Sequence, residues 1–134
     1  MKYLLDTDIC IYIIKKKPQW VYEKFNQCMI GDIAISSVTL SELSYGVEKS
    51  QYKVKNREAL SNFILPLSVL SFDDLASDHY GKIQADLETR GEPIRAMDLM
   101  IAAHASSLKL ILVTNNTREF SKVKNLSIEN WTGN

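Results

Sequence analysis

The stretch KYLLDTDICIYII, residues 2–14, breaks an apolar run with two carboxylates one residue apart and then resumes it at once. Tyr3, Leu4 and Leu5 read as a short buried strand, and Ile9, Tyr12 and Ile13 recur at helical spacing. Asp6 and Asp8 therefore stand at a strand-to-helix turn. Asp8 suits a helix start, because a carboxylate accepts hydrogen bonds from free first-turn N–H groups and faces the positive end of the helix dipole. The same reading explains Asp6 less well. Asp6 still belongs to the strand end, where an unpaired carboxylate beside an apolar core is costly.

Outward from this turn, strand and helix patterns alternate. Short β-type runs fall at Tyr3–Leu5, Ile33–Ser36, Ser68–Phe72 and Leu110–Thr114, with a weaker fifth around Ser127–Glu129. Helical patterns fall at Ile9–Lys16, Trp20–Met29, Val38–Glu48, Asn56–Phe63, Leu75–Thr89 and Met97–Leu108, with a short one near Arg118–Lys122. This order predicts an α/β fold, a three-layer sandwich with a central parallel sheet of four to five short strands flanked by helices. With 134 residues, 46% of them hydrophobic, the chain is expected to form one domain over residues 1–134. No apolar run approaches the roughly 20 residues needed to span a bilayer, and the N-terminus lacks the basic start of a signal peptide. The expectation is a soluble, cytoplasmic protein with no membrane role.

Sixteen basic residues balance sixteen acidic ones, so no global field draws a polyanion. Local basic clusters remain: Lys15 to Lys17, then Lys49, Lys53, Lys55 and Arg57, then Arg90 with Arg95, and Lys122 with Lys124. A charge run is usually a solvated face. Cys10 and Cys28 share no metal-type spacing with each other or with His79 and His104, so the thiols and His104 read as packing residues and a zinc site is disfavoured.

In open α/β sheets the ligand crevice lies beyond the carboxyl ends of the strands. There the first strand offers Asp6 and Asp8, the second Ser36, Ser37 and then Glu42, and the Leu110–Val113 strand Thr114, Asn115, Asn116 and Glu119; Asp98 opens a helix. Gathered together, Asp6, Glu42, Asp98 and Glu119 would repel one another and raise their pKa values unless a cation sat among them. Oxygen donors without His or Cys suit a hard ion, magnesium or manganese, and such a site does phosphate chemistry. Thr114 and Asn116 would orient ligands or phosphate. Each acid also has a structural reading: Thr39-x-x-Glu42 fits a capping box, Asp98 can answer a helix dipole, and Glu119 can be a solvated surface acid. Periodicity does not gather the four acids, and it does not choose a substrate.

The segments LLDTDICIYIIK, ISSVTLSELSYGVEKS, PIRAMDLMIAAHA, VTNNTREF and ENW, in this order over nearly the whole chain, resemble the PIN-domain ribonucleases, and within them the VapC-type toxins of bacterial toxin–antitoxin systems. The resemblance implies that Asp6, Glu42 and Asp98 are the central metal-site acids, with Mg2+ (or Mn2+) as the ion. Thr114 falls on the small hydroxyl position after the fourth strand. Glu119 is carried over as the fourth acid, and Asn116, where many relatives have Asp, as an auxiliary ligand or orienter. Asp8 is left to cap the first helix and support the pocket from its edge. Arg95-Ala96 depart from the family, whose members often have Gly-Pro there; this alters helix entry or puts a cation at the pocket rim.

The implied activity is metal-dependent endoribonuclease cleavage of RNA that inhibits translation, with the anticodon stem-loop of initiator tRNA as the target of similar relatives. The implied partners are an RNA substrate, a second copy of the chain in a homodimer, and a VapB-type antitoxin whose C-terminal segment lies in a groove beside the acids. Candidate groove residues are Ile13, Leu43, Tyr45 and Val47. Two rivals stand beside this reading. One is a phosphoreceiver-like signalling domain with Asp73 as phosphoacceptor, against which Thr114-Asn115-Asn116 replace the expected lysine. The other is a catalytically inactive RNA- or antitoxin-binding module, supported only by the neutral Asn116.

Overall fold

The computed structural model describes residues 1–132. Five strands, β1 (Tyr3–Leu5), β2 (Ile33–Ser36), β3 (Ser68–Leu70), β4 (Ile111–Val113) and β5 (Ile128–Glu129), form one sheet in the order β3-β2-β1-β4-β5. Every pairing is parallel, which requires the chain to cross over between neighbours. The crossovers carry α1 (Thr7–Lys15), α2 (Gln19–Gln27), α3 (Ser37–Glu48), α4 (Lys53–Ile64), α5 (Asp74–Thr89), α6 (Ala96–Leu108) and α7 (Thr117–Phe120). Each expected strand is present, with β3 and β4 shorter than the apolar runs suggest.

Side chains alternate along a strand, so neighbours in sequence enter different cores. Tyr3, Leu5, Ile33, Ile35 and Val113 face Ile9, Cys10 and Ile13 of α1, Val21 of α2, Leu43 and Val47 of α3, and Leu60 and Phe63 of α4. Leu4, Ala34 and Leu112 face the other way, onto Leu87 of α5, Phe120 of α7, and Leu99, Ile101, Ala102 and Ala105 of α6. Both faces are covered, which is why the strands read as continuous apolar runs. His104 is buried within α6 as a packed helix residue, its Nδ1 2.8 Å from Ser36 Oγ and its ring edge-on to Phe72. Both cysteines are free thiols, and Cys10 belongs to the first core. Among the described residues no helix is long and apolar enough to cross a membrane.

The helix caps correct three expectations. Asp6, not Asp8, is the N-cap of α1: it is the last extended residue (φ −68°, ψ 155°), and the helix begins at Thr7. Thr7 and Asp8 are polar, so the apolar period begins only at Ile9 and hides the first turn. The capping box at Thr39 does not form, because Ser36 caps α3 by accepting from Val38 N, while Thr39 is buried inside the helix. Asp73 caps α5, accepting from Ala76 N at 3.0 Å, which gives the rival phosphoacceptor a structural role.

Strand order reverses at β1, with β2 and β3 on one side and β4 and β5 on the other. The crevice beyond the carboxyl ends of β1 and β4 is therefore the place where this architecture positions a site.

Candidate active site

Asp6 follows β1 directly into that crevice and is 4% exposed. Its Oδ1 accepts from Thr7 N at 2.8 Å, and its Oδ2 accepts from the Thr114 hydroxyl at 2.8 Å. Thr114 follows β4, and its oxygen in turn accepts from Asn116 N at 2.9 Å. Burial pushes the Asp6 carboxyl up to about 6, against the pull of the hydrogen bonds from Thr114 and Thr7; the charges of Asp98 and Asp8 push the same way. A carboxylate in this position calls for positive charge.

Asp98 lies in the first turn of α6, 6% exposed. Arg95, the N-cap residue, approaches it with two nitrogens, Nε to Oδ2 at 3.1 Å and Nη2 to Oδ1 at 3.3 Å. The rim cation anticipated at Arg95 is present. Its guanidinium pKa is raised first by the bond to Asp98 and then by that carboxylate's charge, with smaller contributions from Glu42 and Asp8, so these acids share one neighbourhood. Glu42, on α3, accepts the Thr7 hydroxyl at 2.6 Å, and that hydroxyl also lies 3.4 Å from the Thr39 hydroxyl. Thr7 thus ties Asp6, through its backbone, to Glu42, through its side chain.

The remaining candidates are less buried. Asp8 is exposed on the first turn of α1. Glu119, on α7, pairs with Lys122 Nζ at 3.3 Å. Asn116 contributes its backbone N–H, and its side chain does not cap α7. Among the described residues no three His, Cys, Asp or Glu side chains form a ready metal-binding group; Asp98 is turned to Arg95, Glu42 to Thr7 and Glu119 to Lys122. Thr7 was not anticipated, and of Asn115 only its place after the fourth strand was. Thr7 was signalled only by a hydroxyl set between two acids. Asn115 donates to the Tyr12 hydroxyl at 2.8 Å and buries an unpaired Oδ1, a link between distant segments with no local signature.

Beside the acids, a groove of about 320 Å³ runs between α1, α3 and α4, lined by Ile11, Ile14, Leu43, Gly46, Val47 and Leu60, with Glu42 and Lys15 also on its wall. Leu43 and Val47 line it as expected. Ile13 does not: α1 presents Ile11 and Ile14 to the groove instead. Tyr45 is exposed, with Lys49 over its ring: residues three and four apart share a helix face, and Tyr45 is two from both Leu43 and Val47. Several basic residues are committed to ion pairs, Arg57 with Glu48, Arg90 with Asp86 and Glu92, and Lys124 with Asp86.

The family model for the PIN domain matches residues 3–126. Over 132 residues the chain is 48% identical to the tRNA(fMet)-specific endonuclease VapC of Shigella flexneri, covering 98% of this chain and 99% of the relative. It is 44% identical over 131 residues to Ribonuclease VapC2 of Haemophilus influenzae, covering 98% of each. Among solved structures it is similar to DNA-bound VapBC from Salmonella typhimurium, with a TM-score of 0.93, 44% identity and 98% of each chain covered. VapBC2 from Rickettsia felis, bound to a promoter DNA fragment, gives a TM-score of 0.90 at 40% identity, covering 98% of this chain and 99% of that one.

Proposed function

The chain belongs to the PIN-domain family and, within it, to the VapC ribonucleases, and from that premise we propose a divalent-metal-dependent endoribonuclease that cuts initiator tRNA and is held in check by a VapB-type antitoxin. The observation that carries the metal-dependent part is Asp6, a buried carboxylate at the reversal point of the sheet, pushed up to about 6 by burial and further by the charges of Asp98 and Asp8. Two buried carboxylates fit a hard cation by donor chemistry, since among the described residues no His or Cys joins them in a ligand group. Asp6 and Asp98 would hold Mg2+ or Mn2+ directly, with Glu42 and Glu119 completing the shell and Asn116 and Asp8 supporting it from the edge.

Such an ion, when bound, lowers the pKa of a water and offsets charge on the phosphodiester. The chain's own residues prepare the rest. Thr114 fixes the Asp6 carboxylate, and Asn116 N fixes the Thr114 oxygen. Thr7 holds Glu42 on the same side as Asp6. Attack of water at phosphorus with departure of the 3′-oxygen leaves a 5′-phosphate and a 3′-hydroxyl; fragments with 2′,3′-cyclic ends would rule this course out.

The Shigella relative's name specifies tRNA(fMet), which supports initiator tRNA as substrate. The solved VapBC relatives support the antitoxin, for which the groove between α1, α3 and α4 is the site, adjacent to Glu42. The working unit is a cytoplasmic homodimer. The deciding assay is cleavage of purified initiator tRNA within a panel of RNAs, with and without Mg2+ or Mn2+, by the native chain and by folded Asp6→Ala and Asp98→Ala. Ion-dependent cleavage of that tRNA, lost in both variants, is the expected result. Cleavage that persists without divalent ions, or in either variant, overturns the mechanism.

A further inference from the structure

Arg95 gives the site a cation of its own. It is the last extended residue before α6 (φ −62°, ψ 147°), and from there its guanidinium reaches one turn forward to both oxygens of Asp98. The two partners are unequally placed: the Asp98 side chain is 8% exposed and that of Arg95 74%. Asp98, nearly desolvated, depends on a positive neighbour, because a buried carboxylate without one is strongly disfavoured. The guanidinium can leave, because it is largely solvated and water replaces the hydrogen bonds it gives up. Among the described residues Asp98 is its one hydrogen-bonded partner.

We propose that Arg95 is a tethered place-holder for the divalent ion: it neutralises and orients Asp98 while the ion is absent, and it must release Asp98 for the ion to enter. The proposal rests on the metal-dependent reading of the site. A guanidinium spread over both carboxylate oxygens and an ion on either of them would stand a few ångströms apart with like charge in a poorly solvated crevice, so the two exclude one another. Ion affinity therefore includes the work of displacing Arg95, and this positioning residue sets the ion concentration at which the site fills.

The test is Mn2+ binding to the full-length chain without RNA, read as loss of the free Mn2+ electron-paramagnetic signal. The native chain is compared with Arg95→Met, Arg95→Lys and Asp98→Asn, each checked for fold by circular dichroism. Methionine keeps an apolar stem and removes the charge, so Arg95→Met should bind Mn2+ about tenfold more tightly, in line with the strength of a two-point charged pair. Arg95→Lys should fall between, because an ammonium is a point charge that cannot span both oxygens. Asp98→Asn should lose the site. Without ion, Arg95→Met should melt below the native chain, and saturating Mn2+ should raise its melting temperature by more than the native increment, as linkage requires.

Equal or weaker Mn2+ binding by Arg95→Met overturns the proposal and leaves the metal-dependent reading standing. Absence of binding to the native chain and Arg95→Met alike overturns both. Should Arg95→Met fail to fold, Arg95→Lys decides alone, and affinity no better than native overturns the proposal.

Discussion

Asp6 and His104 are both buried titratable side chains beside the end of a strand, and burial drives each toward its neutral form, Asp6 up to about 6 and His104 downward. Their surroundings differ in kind. His104 meets Ser36, whose oxygen also accepts from Val38 N, and Phe72 closes over its ring edge; the cluster is satisfied without charge. Asp6 has a hydroxyl and an amide as partners, but Asp98 and Asp8 add negative charge around it. A buried polar group that serves the fold is completed by its neighbours. One that serves chemistry is left in need of something from outside.

The largest effect that sharpens this contrast is catalytic. Asp6→Ala and Asp98→Ala are expected to lower RNA cleavage on the order of 10³-fold, whereas folded His104→Gln should cleave within a few-fold of native. Equal losses in the three would erase the distinction.

Stability gives the next test, with ions removed by chelator. The Asp6 carboxyl is raised from 3.8 to about 6, so the stability of its protonated form is fully present below pH 3.8 and is lost as pH climbs through about 6. A rise of roughly two pKa units corresponds to about 3 kcal/mol. Asp6→Asn, neutral at every pH, should therefore be more stable than the native chain at pH 7.5 by up to about 3 kcal/mol. The gain should vanish below pH 4 in urea titrations. Asp6→Asn that is less stable at pH 7.5 would mean that the site is not strained.

His104 should behave with the opposite sign. Its lowered pKa contributes stability that is present above the ordinary histidine value and lost as the solution is acidified. His104→Gln should cost about 1–3 kcal/mol at pH 7.5 and flatten the acid limb of the stability profile. The smallest effect concerns Thr7→Val, which keeps the backbone bond to Asp6 and removes the hydroxyl from Glu42. It should leave stability within about 1 kcal/mol and lower the cleavage rate roughly tenfold. An unchanged rate would show that the orientation of Glu42 is immaterial.

What was legible in the residues follows the same division. Leu4 and Leu5, or Ala34 and Ile35, announce their strands because both faces of the sheet are covered. The caps were less legible: Thr7 and Asp8 carry no apolar period, so α1 starts earlier than its pattern and Asp6 takes the cap assigned to Asp8. Leu43 and Val47 were readable as groove residues, but helix phase turns Tyr45 outward. Arg95 stood out as part of a basic cluster with Arg90 and as a departure from the family pattern. Its grip on Asp98, and that of Lys122 on Glu119, depend on side-chain reach across one helical turn, and each needs coordinates to be seen. The Tyr12 to Asn115 bond joins residues 103 apart and left no local trace.

The Thr114 to Asp6 hydrogen bond spans 108 residues, and β1 acquires β4 as a neighbour only when residues 111–113 are available. A ribosome building this chain exposes Asp6 well before Thr114. Non-local contacts of this kind form late in folding. The setting of Asp6 is thus completed by a segment made 108 residues after it, so a chain that stops short of β4 carries the acid without the hydroxyl that fixes it.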